Sequence, residues 1–90
     1  MFKTGQKTVT TAGARVALGT DVVNSSLVIK ADPANTGKIY IGDVTVTSSN
    51  GFILTAGDQI IINEVGKLAD IYIDGSANTQ KVCWIAMSQL

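Results

Sequence analysis

Short runs of Val, Ile, Thr and Tyr recur along this chain, and Gly, Asn, Asp or Ser separates each run from the next. The residues of the runs fit the pleated surface of a strand, and the separating residues are those that turns require. No stretch repeats its apolar residues with the period of a helix. The runs recur every 8–12 residues or so, a spacing that is typical of sandwiches and jelly rolls. The sequence therefore predicts an all-β fold, a small β-sandwich or jelly roll of about seven to eight short antiparallel strands.

The predicted strands occupy residues 7–11, 26–31, 38–42, 44–47, 52–54, 59–63, 68–74 and 81–87, with 14–18 as a further short strand or an irregular segment. Asn-Gly at 50–51 predicts a tight hairpin. Nearly continuous apolar runs predict that strands 59–63 and 81–87 are covered on both faces. The length predicts one domain, 1–90, in which residues 1–11 form an extended N-terminal arm or the first strand.

A chain of 90 residues has a thin core, because it buries only roughly 60–65% of the surface that its unfolded form exposes. Cys83 is the only cysteine and there is no histidine, so an internal disulfide is excluded and a classical zinc site is not expected. Apolar residues make up 46% of the chain and charged residues 16%, which leaves few charges to cover a small body. We therefore expect part of the apolar surface to be an interface between chains.

Neither nucleic acid nor a membrane is expected as a partner. Seven basic residues balance seven acidic ones, and the basic residues are scattered rather than clustered as phosphate binding requires. Residues 1–7 lack the apolar core of a signal peptide, and no apolar stretch approaches the roughly 18 residues of a membrane span. We expect synthesis in a cytoplasm and no membrane partner.

We also expect no enzymatic activity, no cofactor and no small-molecule substrate. Without histidine, the nucleophilic arrangements of serine and cysteine hydrolases cannot be built. Most of the seven carboxylates fall at predicted turns, where Asp is favoured for its hydrogen bonds to the backbone. Asp70, Asp74 and the Gly75-Ser76 loop offer oxygen ligands to calcium, but the EF-hand spacing is absent, so this site is the less favoured alternative.

Aromatic and apolar side chains are the remaining candidates for a contact site. Trp84 is interpreted as an anchor of a core or interface, with a sugar-stacking platform as the alternative. Tyr40 and Tyr72 point away from their flanking isoleucines, either as contact residues or as ordinary half-exposed strand residues. The candidate interface residues are Phe2, Tyr40, Tyr72, Trp84, Ile85 and Met87.

Four segments, 31–42, 48–58, 70–75 and 82–86, resemble a pattern of small structural proteins of tailed bacteriophages. An Asn-containing loop enters a strand of the form x-x-Tyr-x-Gly, and a Ser-Asn-Gly hairpin follows. A Leu-x-x-Gly-acid turn comes next, and a Trp-containing strand ends the pattern. The resemblance runs from about Ser26 to the end, and its motifs are signals of turns and strands rather than site residues.

The resemblance implies a non-enzymatic virion protein, made in the host cytoplasm. It implies a capsid decoration, or cement, protein that binds the head shell as a homotrimer, with the major capsid protein or another virion protein as its partner. Residues 2–11 would then be an arm that reaches a neighbouring subunit, and the final strand would be part of an intersubunit core. The alternative is a host-receptor or carbohydrate-binding module of a fibre, neck or tail, with loops 32–37 and 75–80 as its contact rim.

Overall fold

The computed structural model describes residues 2–87 and, within them, every side chain except those of Phe2, Glu64 and Met87. Its strands are β1 (Phe2–Val9), β2 (Val16–Ala17), β3 (Val22–Ala31), β4 (Ile39–Gly42), β5 (Phe52–Leu54), β6 (Gln59–Lys67), β7 (Tyr72–Gly75) and β8 (Gln80–Met87). A single 3₁₀ turn, Leu68–Asp70, joins β6 to β7. Within residues 2–87, no helix has the length and apolar character that crossing a membrane would take.

The strands form two four-stranded antiparallel sheets. The first sheet has the order β1-β8-β3-β6, and the second has the order β2-β7-β4-β5. The chain changes sheets at every connection except the one between β4 and β5, which are paired with each other. This is the double Greek-key arrangement of a jelly roll, so the predicted fold class is confirmed.

The core lies between the two sheets because side chains alternate in direction along each strand. In β3 the inward residues Leu27 and Ile29 are fully buried, and in β8 Val82 is. The second sheet contributes Ile39 and Ile73, which are also fully buried. The apolar face of each sheet therefore covers the other.

Two local predictions around residues 43–51 are wrong. Residues 44–47 form turns instead of a strand, because Asp43 Oδ1 accepts a hydrogen bond from the Thr45 amide and holds a tight turn there. Asn50-Gly51 does not close a two-residue hairpin. The Asn50 carboxamide instead accepts a hydrogen bond from the Thr47 amide, 2.7 Å away, and so organises a nine-residue connection between β4 and β5.

The expectation that strands 59–63 and 81–87 are covered on both faces is also wrong. Ile61 of β6 is 61% exposed, and Ile85 of β8 is 41% exposed. Both side chains point away from the second sheet, and nothing in the described chain packs over that side of the first sheet enough to bury them. An apolar run in the sequence does not distinguish a buried outer face from an open one.

Residues 2–9, within the segment predicted as an arm or a first strand, form β1. β1 is an edge strand that pairs with β8 from Phe2 to Val9. Gly5 lies directly opposite Trp84, and the indole ring crosses over the glycine. A Cβ atom at position 5 would lie 2.5 Å from Trp84 Cζ2, so only glycine fits beneath the ring.

We predict that Gly5→Ala destabilises the fold by about 1–3 kcal/mol, because the added methyl group must displace a buried ring. Trp84 is the only tryptophan, so its fluorescence reports urea unfolding directly. Gly66→Ala in β6 is the matched control, because its Cβ would meet only Asn24 Oδ1, at 3.9 Å. Equal midpoints for the two variants would show that the indole does not require a glycine at position 5.

Candidate interaction surface

The alternation along β8 separates the sequence-predicted interface residues into two groups. Val82, Trp84 and Ala86 point into the core, and Trp84 is only 6% exposed. Cys83 is half-buried and Ile85 is exposed, because they point to the opposite side of the first sheet. Trp84 is thus a core residue of its own chain, and Ile85 is a surface residue.

The two tyrosines lie on the second sheet, away from Ile85. Tyr40 is buried because the connection between β4 and β5 folds over it, and a Cβ at Gly51 would lie 2.5 Å from Tyr40 Cβ. Tyr72 is half-buried. The side chains of Phe2 and Met87 lie outside the described residues. The structure therefore does not bring Tyr40, Tyr72 and Ile85 together.

A row of side chains crosses the outward side of the first sheet at the level of Ile85. Strand registers place Thr4 of β1 and Val28 of β3 on either side of Ile85, and Ile61 of β6 next to Val28. Thr4, Val28 and Ile61 were not among the contact residues predicted from the sequence. The signal for Val28 was the alternation in β3, since the buried Leu27 and Ile29 leave Val28 on the other side.

A second row lies beside the first and is more polar. The registers align Gln6, Cys83, Lys30 and Gln59 across β1, β8, β3 and β6. An open groove of about 360 Å³ lies between the rows, and Lys30 is the only charged residue among those that line it. We call the two rows, Thr4, Ile85, Val28, Ile61, Gln6, Cys83, Lys30 and Gln59, the outer face. Its chemistry is that of a contact surface with an apolar centre and a mostly uncharged polar margin.

The loops at one end of the sandwich are tied to each other by side-chain hydrogen bonds. Gln80 accepts a bond from the Gly37 amide and donates one to Thr36 Oγ1. Asn35 accepts from the Lys81 amide and donates to the Lys81 carbonyl, so its carboxamide acts as an extra strand residue beside β8. The loops proposed as a contact rim, 32–37 and 75–80, therefore lie side by side and are rigidly held.

Three aspartates have structural roles at turns. Asp32 accepts from the Ala34 amide and forms an ion pair of 3.2 Å with Lys81. Asp43 bonds to Thr45, and Asp58 bonds to both the amide and the hydroxyl of Thr55. These hydrogen bonds hold the pKa of Asp32, Asp43 and Asp58 below the ordinary value, because each favours the ionised carboxylate.

The remaining carboxylates considered as ligands are not gathered into a site. Asp74 is buried, and its Oδ1 atom accepts hydrogen bonds from the amides of Gly13 and Gly75. Asp70 is exposed at the 3₁₀ turn. Among residues 2–87, no three His, Cys, Asp or Glu side chains come together as a metal ion would require. Asp74 instead joins the loop after β1 to the end of β7.

Comparisons with known proteins give a likeness in fold. No protein-family model matches the sequence. No curated protein matches it either. A chain from the solved structure described as "Bacillus endospore appendages form a novel family of disulfide-linked pili" matches with a TM-score of 0.51 and 14% sequence identity, over 99% of this chain and 88% of that one. At this identity the match supports the β-sandwich fold and nothing finer.

We predict that the free energy of unfolding falls as the pH drops below the ordinary aspartate pKa of 3.8 and through the lowered values of the folded state. Stability falls because the aspartates of the unfolded chain have the higher pKa and bind protons first as the pH drops. The stabilisation by the three carboxylates is therefore complete above the ordinary aspartate pKa and is lost in acid. The combined variant Asp32→Asn, Asp43→Asn, Asp58→Asn should show a shallower acid loss in urea unfolding at a series of pH values. An unchanged slope would mean that other groups cause the acid sensitivity.

Proposed function

We propose that this protein is a non-enzymatic structural subunit that binds a neighbouring protein through its outer face. The observation that carries this proposal is the apolar row on that face, in which Ile85 and Ile61 are 41% and 61% exposed beside Val28. Exposed aliphatic side chains aligned across a rigid sheet lose little conformational entropy on binding. Burial of such a row in a contact is favourable by about 25 cal/mol per Å² of apolar surface before the costs of association.

The strand order is compatible with this class of function and with others. Jelly rolls recur in viral capsid proteins, lectins and cupins. The structural neighbour belongs to endospore appendages described as pili, which are themselves protein assemblies. We favour the phage virion as the assembly, because the turn and strand motifs of residues 31–86 resemble those of tailed-phage structural proteins.

Within the virion, the function we favour is capsid decoration. A decoration protein bridges adjacent shell subunits and adds buried area that opposes the pressure of packaged DNA. The outer face is suited to a flat contact of this kind, because it is a sheet surface with one charged residue, Lys30, among those that line its groove. The resemblance implies three copies per decoration unit and the major capsid protein as the partner.

A second candidate function is glycan or receptor binding by the loop end. The observation in its favour is that loops 32–37 and 75–80 lie together and are held by Gln80 and Asn35, since loops positioned by a rigid scaffold are common binding elements. The aromatic residues do not support it: Tyr40 and Trp84 are buried, which leaves sugars few rings for stacking. A glycan-binding screen of the purified chain tests this candidate, and a specific signal at this end would favour it.

We predict that Ile85→Lys weakens binding of the purified chain to DNA-free heads of the phage whose genome carries the gene. The substitution places a charge in the centre of the apolar row, where a contact would have to desolvate it. Binding is measured by co-sedimentation with the heads over a range of chain concentrations. The expected change is a loss of at least tenfold in affinity, which corresponds to about 1.4 kcal/mol.

Val44→Lys is the matched control, because Val44 is 54% exposed on the connection between β4 and β5, away from the outer face. It introduces the same charge and should leave binding unchanged. Equal binding by both variants would remove the outer face from the contact, and no binding by the unaltered chain would refute capsid decoration.

A further inference from the structure

The four strands at the edges of the two sheets differ in their capacity to pair with another chain. β2 and β5 have two and three residues. β1 is longer, but Lys3 and Lys7 lie on the same side of it as Gly5 and Trp84, and inward-pointing lysines are a known protection of an edge against pairing. β6 has nine residues, and its segment 59–63 carries no charge and no proline. The register irregularity of β6 lies beyond Ile62, so segment 59–62 is the part of a long edge without such protection.

The hydrogen bonds of β3 show which backbone groups of β6 face its free edge. The Ala31 amide donates to the Asp58 carbonyl, so Ala31 and Asp58 form a hydrogen-bonded pair between β3 and the start of β6. Because such pairs alternate along antiparallel strands, Ile60 and Ile62 bond to β3. The amides and carbonyls of Gln59 and Ile61 therefore point away from β3, and this regular alternation ends at Ile62, where the register with β3 shifts. The Asp32 amide donates to the Lys81 carbonyl, so the other alternate residues of β3, Val28 and Lys30, bond to β8.

We propose that β6 is a self-pairing edge, on which a second copy of this chain adds its own β6 antiparallel about a two-fold axis at Ile61. In this register Ile61 lies opposite Ile61 of the second copy, and Gln59 lies opposite its Asn63. The backbone groups of Gln59 and Ile61 point outward, so the central Ile61 pair exchanges hydrogen bonds as a regular ladder does. The result is one continuous sheet of eight strands with β6 of each copy at its centre.

The side chains of segment 59–63 fit the same axis. Read in either direction, the segment is amide, three isoleucines, amide. The two Ile61 side chains meet on the outward side, and a Gln59 carboxamide meets an Asn63 carboxamide beside them. Ile60 meets Ile62 of the second copy on the inward side. An isologous contact requires a surface that is complementary to itself, and this segment is.

Pairing through β6 also extends the outer face. The row Ile85, Val28, Ile61 continues into Ile61, Val28 and Ile85 of the second copy, so the apolar surface doubles in length without a change in either chain. This inference goes beyond the proposed function and does not depend on it. It assigns a two-fold contact where the phage resemblance implies a three-fold one.

The test places like or unlike charges at residues that face each other across the two-fold axis. The mass is measured by light scattering over a concentration series. The unaltered chain is expected at twice its mass of 9.4 kDa at the higher concentrations. Gln59→Lys with Asn63→Lys, and separately Gln59→Glu with Asn63→Glu, oppose like charges and should each remain at the single-chain mass. An equimolar mixture of the two variants opposes unlike charges and should recover the doubled mass.

Gln6→Lys with Thr8→Lys on β1 is the control, because it adds two charges to the other long edge and should leave the doubled mass unchanged. All four substituted positions are exposed, so Trp84 fluorescence should show unaltered unfolding for every variant. A single-chain mass for the unaltered chain at every concentration, or a doubled mass retained by either β6 variant, would overturn the proposal. A tripled mass would also overturn it, while leaving capsid binding through the outer face intact.

Hydrogen exchange gives a second, residue-specific result. The Ile61 amide faces solvent in a single chain and a carbonyl in the pair, so its exchange should slow as the chain concentration rises. The Ile60 amide bonds to β3 in either state and serves as the internal reference. Exchange at Ile61 that is independent of concentration would exclude pairing along this edge.

Discussion

Strand β8, the last strand of the described chain, pairs with β1, the first, and the first sheet depends on β8. It lies between β1 and β3, so neither of those strands contacts the other in the sheet. Val82, Trp84 and Ala86 enter the core from one side of β8, while Cys83 and Ile85 form the middle of the outer face from the other. One strand thus supplies the centre of the core and the centre of the candidate contact. Gly5 beneath the indole shows how closely β1 is fitted to it.

The class of fold was predictable because it depends on local chemistry. Runs such as 26–31 and 38–42 contain strand-forming residues, and Asp and Gly mark the turns between them, so the general positions of most strands followed from the sequence. Strand β2 falls in segment 14–18, for which the sequence allowed either a strand or an irregular segment. Residues 43–51 were not predictable in the same way. Val44 and Val46 have strand propensity, but the Asp43 and Asn50 side chains bond to nearby amides and hold turns instead. Whether such side-chain hydrogen bonds or strand pairing prevails depends on the local backbone geometry, which the residue types alone do not determine.

The candidate contact was predictable only in part, for a related reason. Ile85 was identified from its strand, but its neighbours on the outer face, Val28 and Ile61, come from strands that are distant in sequence. Their alignment depends on register, and register is set by long-range pairing and by the irregularity near Ser25. The isoleucine run of β6 indicated burial on both faces. The structure shows that one side of this run is open, and the open side is where a surface can be shared.

The strand order also has a consequence for the synthesis of the chain. The partner of β1 is β8, so residues 2–9 wait unpaired until residues 80–87 have been made. At ribosomal rates the interval is on the order of ten seconds, which is long compared with the formation of a hairpin. During this interval β1 is a free strand in a crowded cell. Lys3 and Lys7 give this free segment two positive charges, and charges of this kind disfavour the addition of a strand to a foreign sheet edge.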